Sequence, residues 1–281
     1  MRQESFKTDQ AAITVFLDGP LWNGQPTATL GGFRSRNARS GQEVLSKAIG
    51  FARQQGVEQL IGPMEGDSWH SYRFITDTDG SPPFLMEPNN QAHELEVFMK
   101  AGFRQIGSYF SARVPLTPES TQRPMPSSEF KVEVWDGKDP EGMFGQVYDL
   151  SVNAFAENPF YKTISRNAFM SMYMPLVPLI RKELVLFARK PDGELTGFLF
   201  GIPNYSEAQT PKSVILKTYA SMTKGAGRYL WREFHVIAAR NGFQTAIHAL
   251  IHDDNLSALR SIAEGARVFR RYGLFGLRIA Q

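Results

Sequence analysis

The sequence predicts an α/β protein, and three observations support this fold class. Short runs of β-branched and large apolar residues alternate with segments whose apolar residues recur every three or four positions, as strands and helices require. Glycine or proline closes most of these segments. The elements also follow one another in a similar order in the two halves of the 281-residue chain, which indicates two related domains.

The first half is predicted to contain several strands, two helices and a long loop. The predicted strands are residues 13–17, 27–33, 57–61, a short one near 72–75, and one or two within 103–114. Residues 41–55 and 92–100 show the apolar spacing of helices. Residues 66–90 are polar, rich in Gly, Pro and Asn, and predict a surface loop or an insertion.

A segment rich in proline and serine separates the halves. Residues 114–128 have no apolar period, which is typical of a linker. We therefore predict domains over residues 1–114 and 130–281, joined by a linker over 115–129.

The second half is predicted to begin with a strand followed by two helices. Pro191-Asp192-Gly193 predicts the turn of a hairpin between residues 184–188 and 195–201. The other predicted strands are residues 131–135, 214–220, 245–251 and 268–279, and the other predicted helices are 143–155, 165–173, 227–240 and 256–263.

Residues 213–242 form the unit around which the chain is organised. A buried strand ends near Ala220, Lys224-Gly225-Ala226-Gly227 makes a glycine loop, and a helix follows until Asn241-Gly242. Unpaired N–H groups at a helix start attract phosphate, and glycine lets a pyrophosphate approach the main chain. A tight turn that only packs the helix on its strand is the alternative interpretation.

Composition excludes several classes of function. The net charge is only +3, and no run of basic residues indicates nucleic-acid binding. The chain contains no cysteine, which excludes disulfides, cysteine nucleophiles and thiolate metal sites. A polar N-terminus and the lack of a membrane-length apolar run lead us to expect a cytoplasmic protein that does not interact with membranes.

The second half resembles the GNAT acyltransferase superfamily. Met222-Thr223-Lys224-Gly225-Ala226-Gly227 matches both glycines of the signature Gln/Arg-x-x-Gly-x-Gly/Ala, with Met222 in place of Gln or Arg. Asn255 and Ala258 match the family's second cofactor feature, and the element order over residues 130–281 is also that of the family. The resemblance implies two GNAT-like domains, each with a mixed, mostly antiparallel sheet flanked by helices.

The resemblance also implies a cofactor, acetyl-CoA or another acyl-CoA. Its binding residues are expected on the strand, in the loop and at the starts of two helices. They are Thr218, Tyr219, Ala220, Met222, Thr223, Lys224, Gly225, Ala226, Gly227, Arg228, Asn255 and Ala258.

The first half resembles an incomplete copy that lacks the first strand and the helix pair. In its equivalent loop, residues 36–41, Arg39 stands where the first glycine belongs and should obstruct a pyrophosphate. We expect a degenerate lobe that shapes the substrate cleft. An anionic substrate bound by Arg36 and Arg39 is the alternative.

Transfer in this family is direct attack of an amine on a thioester carbonyl. A lysine-like amine with a pKa of ~10.4 needs about 4–5 kcal/mol to lose its proton near neutral pH, and a general base reduces that cost. The family's oxyanion donor is a main-chain N–H of the fourth strand. Its usual acid, a tyrosine after Asn255, is missing here, where Leu259-Arg260-Ser261-Ile262 stands.

Tyr219 and His252 are the candidate catalytic residues. Tyr219 lies beside the expected thioester and can be an acid or a packing residue, while His252 can be a base or a surface histidine. His248 precedes it by two steps of two on the same predicted strand. His70 and His93 lie in the first half and could reach a shared cleft. His248 and His252 with Asp253 could also suggest a metal site, but without a third ligand at a recognisable spacing we predict none.

The region between the first two helices of the second half is aromatic and rich in methionine. It indicates either a hydrophobic acceptor pocket or ordinary core packing. Its members are Phe155, Phe160, Tyr161, Phe169, Met170, Met172, Tyr173 and Met174.

We therefore predict an N-acyltransferase that moves an acetyl group from acetyl-CoA to a small-molecule amine. Two alternatives stay open, a non-catalytic CoA-binding sensor and an aminoacyl or peptidyl transferase of related tandem fold. The mild charge argues against the latter, because an aminoacyl-tRNA requires a strongly basic groove. A homodimer also stays open.

Overall fold

The computed structural model describes residues 2–117, 130–263 and 265–279. Twelve strands form one continuous sheet in these residues. Along most of the sheet the order is β1-β2-β3-β4-β12-β6-β11-β10-β9-β8-β7, and β5 also pairs with β12. Only β3 with β4 and β10 with β11 pair in parallel; the other pairs are antiparallel.

The first half contributes six strands and two helices. They are β1 (Gln3–Lys7), β2 (Ala11–Phe16), β3 (Ala28–Ser35), α1 (Ala38–Gln54), β4 (Gln59–Gly62), β5 (Phe74–Thr78), α2 (Ala92–Lys100) and β6 (Arg104–Pro115).

The second half contributes six strands and four α-helices. They are β7 (Lys131–Val134), α3 (Pro140–Ala154), α4 (Arg166–Tyr173), β8 (Val185–Arg189), β9 (Leu195–Pro203), β10 (Ser213–Ser221), α5 (Ala226–Arg240), β11 (Thr245–His252), α6 (Leu256–Ala263) and β12 (Arg267–Arg278). Two short 3₁₀ segments, Met174–Leu179 and Lys182–Leu184, join α4 to β8.

Helices cover both faces of the sheet in the second half. Leu186 and Leu199 contribute to the core beneath α5, whereas their chain neighbours Phe187 and Phe198 contribute to the core beneath α3 and α4. Alternate residues of a strand face opposite sides, so β8 and β9 must be apolar throughout. This explains why their sequences read as continuous buried runs.

The two halves exchange their last strands. β6 of the first half lies between β11 and β12, while β12 of the second half pairs with β4 of the first. Each of these strands is a single uninterrupted element of 12 residues. The sheet is therefore continuous across the two halves because each half completes the other.

Sequence reasoning predicts most of these elements and misses one. β1 has the polar sequence Gln3-Glu4-Ser5-Phe6-Lys7, which lacks a strand's apolar alternation, yet it pairs with β2 along all five residues. An edge strand that buries few side chains needs little apolar alternation, so its sequence gives only a weak strand signal. The predicted domain boundary stays a prediction, and residues 118–129 of the predicted linker lie outside the described residues.

Candidate active site

A cleft opens where β10 and β11 separate. Ser213–Leu216 pairs in parallel with Thr245–His248, and no pairing between the two strands continues beyond Leu216. β10 is bulged between Leu216 and Thr218 in its pairing with β9. β11 is irregular between His248 and Ile251 in its pairing with β6. These irregularities bend the strands apart, as bulges do next to many active sites.

The cleft leads into a cavity of about 910 Å³ that both halves line. β10, β11, α3, α4 and the start of α6 form one part of the wall. The first half adds residues 68–73, residues 86–88 and Tyr109. This arrangement agrees with the expectation that the first half shapes the cleft. Arg36 and Arg39 are exposed and do not line the cavity, and Asn37 caps α1 by accepting a bond from the Ser40 N–H at 2.9 Å.

The start of α5 presents free main-chain amides. Gly225 precedes the helix with a φ of +98°, and no side chain caps it. Within the described residues, no hydrogen bond involves the amides of Lys224, Gly225 or Gly227. The Met222 N–H is instead bonded to the Thr196 carbonyl at 2.8 Å. The loop is thus fixed to β9, while its glycine amides stay available for an anion.

Gly227 is needed because it packs closely against its neighbours. A Cβ at this position would lie 3.0 Å from Ser221 Oγ and 3.1 Å from Arg260 Nη1. Arg260, from α6, also donates a bond of 3.4 Å to the Tyr219 hydroxyl. Lys224 and Arg228 are exposed beside the same helix end. The helix start therefore combines unpaired amides with nearby cations, which suits a pyrophosphate.

Asn255 marks the start of the next helix. Its side-chain oxygen accepts bonds from the Ser257 N–H at 3.0 Å and from the Ser257 hydroxyl at 2.8 Å. Asn255 is exposed and lines the cavity, whereas Ala258 is buried beside Phe110 and Ala112. Asn255 thus caps the start of α6 beside the cavity.

Several solved structures with a similar fold are GCN5-related N-acetyltransferases. A GCN5-related N-acetyltransferase from Sphaerobacter thermophilus has a TM-score of 0.60 at 13% identity and covers 97% of this chain and 78% of its own. A tandem GNAT protein from the clavulanic acid biosynthesis pathway has a TM-score of 0.57 at 12% identity, over 100% of this chain and 84% of its own.

A third similar structure is the GCN5-related glucosamine N-acetyltransferase region of a fungal β-N-acetylglucosaminidase. Its TM-score is 0.57 at 14% identity, over 95% of this chain and 31% of that one. No family model matches the sequence, and no curated protein matches it significantly.

The chain has the tandem GNAT fold. The predicted fold class and the resemblance are both confirmed. In GNAT terms, β10 is the fourth strand, α5 follows the signature loop, and β11 is the fifth strand. Of the predicted cofactor residues, Thr218, Tyr219 and Asn255 line the cavity, whereas Ala220, residues 222–228 and Ala258 do not.

His252 lies in the cleft with an orientation that limits it as a base. It ends β11, and its ring is perpendicular to that of Tyr109 with centroids 4.9 Å apart. Its Nδ1 accepts the Asp254 N–H at 3.2 Å. A neutral imidazole that accepts at Nδ1 carries its proton at Nε2, so Nε2 cannot take another. His252 is therefore better suited to donate a hydrogen bond.

His70 of the first half has the opposite arrangement, and sequence reasoning gave it no support. Its Nδ1 lies 2.8 Å from Oδ1 of the buried Asp67, which also accepts the N–H groups of Trp69 and His70. An ionised carboxylate only accepts, so Nδ1 carries the proton and Nε2 holds a lone pair. The bond to Asp67 raises the pKa of His70 above its ordinary value, and the ring lines the cavity.

His235 and His248 form a buried pair beside the cavity. His235 Nδ1 donates to the Trp231 carbonyl at 2.6 Å, and the two Nε2 atoms of His235 and His248 are 2.9 Å apart. His248 Nδ1 lies 2.8 Å from Ser261 Oγ. Burial lowers the pKa of His235 to about 4, and that of His248 well below its usual value. Both rings are thus neutral and join α5, β11 and α6.

The aromatic region between the first two helices of the second half both packs and lines the cavity. Phe169 is 1% exposed and packs edge-to-face on Phe144 and at a tilt on Tyr173 in the core. Those of the predicted acceptor residues that line the cavity are Phe155, Tyr161, Phe169, Met172 and Tyr173. The interpretations as a pocket and as core packing therefore apply to the same side chains.

The described ranges contain neither a metal cluster nor a membrane-spanning helix. No cluster of three or more His, Asp or Glu side chains there could hold a metal ion. None of the helices in those ranges is both long and apolar enough to cross a membrane.

Proposed function

We propose that this chain is an acyl-CoA-dependent N-acyltransferase that transfers an acetyl group from acetyl-CoA to the amine of a small molecule. The observation that carries this proposal is the set of unpaired amides of Lys224, Gly225 and Gly227 at the start of α5, shortly after β10, whose Thr218 and Tyr219 line the cavity. A pyrophosphate at those amides would direct the rest of the cofactor along β10 toward the cavity. Bound acetyl-CoA would supply an activated acyl group there.

His70 is proposed as the general base. The acceptor amine must lose a proton before it attacks, and a lone pair at Nε2, held in place by Asp67, can take that proton directly or through water. The raised pKa of His70 brings it closer to neutral pH, where a base is most effective.

β10 and Tyr219 are proposed to assist at the carbonyl. Beyond Leu216, β10 has no partner in β11, so main-chain N–H groups on that edge can donate to a developing oxyanion. The Tyr219 hydroxyl accepts from Arg260 and keeps its own proton to donate toward a leaving thiolate. Tyr219 thereby takes the place of the tyrosine that α6 lacks.

Release of free thiol from acetyl-CoA in the presence of a panel of small amines tests this function. We expect amine-dependent release by the parent protein and a loss of about 100-fold or more with His70→Gln. If the parent and His70→Gln both release thiol at a rate that does not depend on the amine, and both still bind CoA, the result would instead support a CoA-binding protein without transfer activity. The absence of a tyrosine from α6 is the observation that favours this second candidate.

A further inference from the structure

Lys217 occupies the bulge of β10 and lines the cavity. The residues on either side of it, Leu216 and Thr218, pair with Gly201 and Phe200 of β9, which leaves Lys217 as the extra residue. The side chain is half-buried and makes no hydrogen bond or ion pair within the described residues. Burial, with a smaller effect from the charge of Arg73, lowers the pKa of Lys217 to about 8.

Arg73 faces the same cavity from the first half. It is 8% exposed and has a φ of +86°, an unusual conformation for a side chain other than glycine. Its guanidinium carbon lies 3.7 Å from the ring centroid of Tyr72 and 4.0 Å from that of Tyr109. The hydrogen bond from Nη2 goes to Tyr72, and Nε is buried without a partner in the described residues. Strain and an unpaired donor of this kind are typical of functional sites.

No carboxylate neutralises these two cations. The buried carboxylate of Glu87 is engaged by Arg270 and Tyr272. The other acids of the cavity wall, Glu157 and Asp254, are exposed at its rim. No ion pair of the described residues includes Arg73 or Lys217.

The pair is separate from the proposed phosphate site. Lys217 precedes Ser221, the last residue of β10, by four positions, or about 13 Å at a rise of ~3.3 Å per residue. The free amides lie beyond Ser221, at Lys224, Gly225 and Gly227. The cations therefore lie at the acceptor end of the cleft, where the cofactor's phosphates do not reach.

The geometry points to Lys217 and Arg73 as a binding site for an anionic group, a carboxylate or a phosphate, carried by the acceptor amine. This inference rests on the proposed acyl transfer and specifies its substrate class. A guanidinium and an ammonium that lack protein partners bind either oxyanion through charge-assisted hydrogen bonds. Their positive charge also disfavours the ammonium form of the acceptor, which aids its deprotonation.

Matched acceptors test this site. 4-Aminobutanoate, 3-aminopropyl phosphate and butylamine share one amine and differ in the group at the other end. We expect the parent to show a higher kcat/KM for one of the two anionic amines than for butylamine, and that preference identifies the anion. Lys217→Met should reduce the preference by about 10- to 100-fold, the value of one or two charge-assisted bonds. Lys212→Met, on an exposed lysine just before β10, should leave the preference intact.

Binding measured without turnover keeps the two proposals distinguishable. Thermal shifts with CoA alone report the cofactor site in every variant, and shifts of the CoA-loaded protein with each amine report the acceptor site. Stabilisation by an anionic amine, lost in Lys217→Met and Arg73→Gln, supports the site even if no amine is acylated. A preference for butylamine, or an equal preference in Lys217→Met and Lys212→Met, overturns it. The proposal is also overturned if Lys217→Met lowers kcat/KM only when succinyl-CoA is the donor. The cations would then bind the carboxylate of the acyl group and not an anion of the acceptor.

Discussion

Gly225 and Gly227 are required for different physical reasons. Gly225 has a φ of +98°, which side-chain-bearing residues rarely adopt, and a Cβ there would meet only Phe130 at 3.5 Å. Gly227 lacks room for a Cβ between Ser221 and Arg260. The first glycine therefore sets the direction of the chain into α5, and the second allows α6 to approach α5. Both shape the start of α5, where the free amides lie.

At the same scale, the dyad of Asp67 and His70 predicts a pH profile for kcat/KM. A base acts in its neutral form, so the rate should rise with pH through the raised pKa of His70. Asp67→Asn keeps an acceptor oxygen but removes the carboxylate charge that makes this hydrogen bond favour protonated His70, so the acidic limb should move to lower pH. The measurement is kcat/KM against pH for the parent, for Asp67→Asn and for the control variant His93→Gln.

His93→Gln is the matched control for the dyad. His93 bonds to the Ser35 carbonyl at 3.0 Å and does not line the cavity. Its replacement should leave the profile unchanged. An acidic limb that stays in place in Asp67→Asn would remove His70 from the role of base.

Sequence reasoning singled out the loop of residues 224–227 from its motif and His70 only from its residue type, and it did not single out Lys217 or Arg73. The glycines of residues 224–227 act through local main-chain geometry, which a short motif encodes. His70 and Arg73 lie in a loop without periodicity, and only its fold brings them to the cleft. Lys217 stands within a predicted buried strand, and the bulge that turns it toward the cavity has no separate signal in the sequence.

At the scale of elements, the chain of hydrogen bonds through His235, His248 and Ser261 fixes α5, β11 and α6 together. It predicts a loss of stability in acid. Unfolded histidines bind protons below a pKa of about 6.5, whereas folded His235 stays neutral until about 4. The unfolded state therefore binds more protons as the pH falls, and His235 alone should cost about 2 kcal/mol of unfolding free energy between pH 7.5 and pH 5.

Denaturant unfolding at both pH values measures this loss. The double variant His235→Leu, His248→Leu should lose less free energy of unfolding between the two pH values than the parent. His93→Gln, outside the hydrogen-bonded chain, serves as the control and should behave as the parent does. An equal loss in the double variant and the parent would show that the buried pair does not govern acid stability.

Element boundaries follow the sequence closely where packing is local. α2 and α6 begin and end at the residues that the apolar spacing predicts, and the turn at residues 191–193 joins an antiparallel pair. The pairing partners of β6 and β12 were not predictable in the same way. Both strands are long and mix apolar with charged and polar residues, and nothing in their own sequences specifies whether the partner strand comes from the same half.

At the scale of the whole molecule, the exchanged strands predict that the halves do not fold alone. A fragment of residues 2–117 lacks β12, the antiparallel partner of β4 and β6. A fragment of residues 130–279 lacks β6 beside β11. Each would expose long unpaired strand edges, which favour aggregation. We expect no cooperative thermal unfolding of either fragment by circular dichroism, and recovery of the transition when the two are co-expressed. Cooperative unfolding of either fragment by itself would mean that the exchange is not needed for stability.

The central claim is that the start of α5 binds acyl-CoA, and a thermal-shift titration with acetyl-CoA tests it most directly. At about 100 times Kd the parent should gain about 2.7 kcal/mol, or roughly 5–10 °C in Tm. Gly225→Asp places a carboxylate among the amides that should receive phosphate, so the shift should disappear. Gly193→Asp makes the same change at a φ of +89° in open space on the hairpin turn, and the shift should persist. Equal shifts in both variants, or none in the folded parent, would contradict the account.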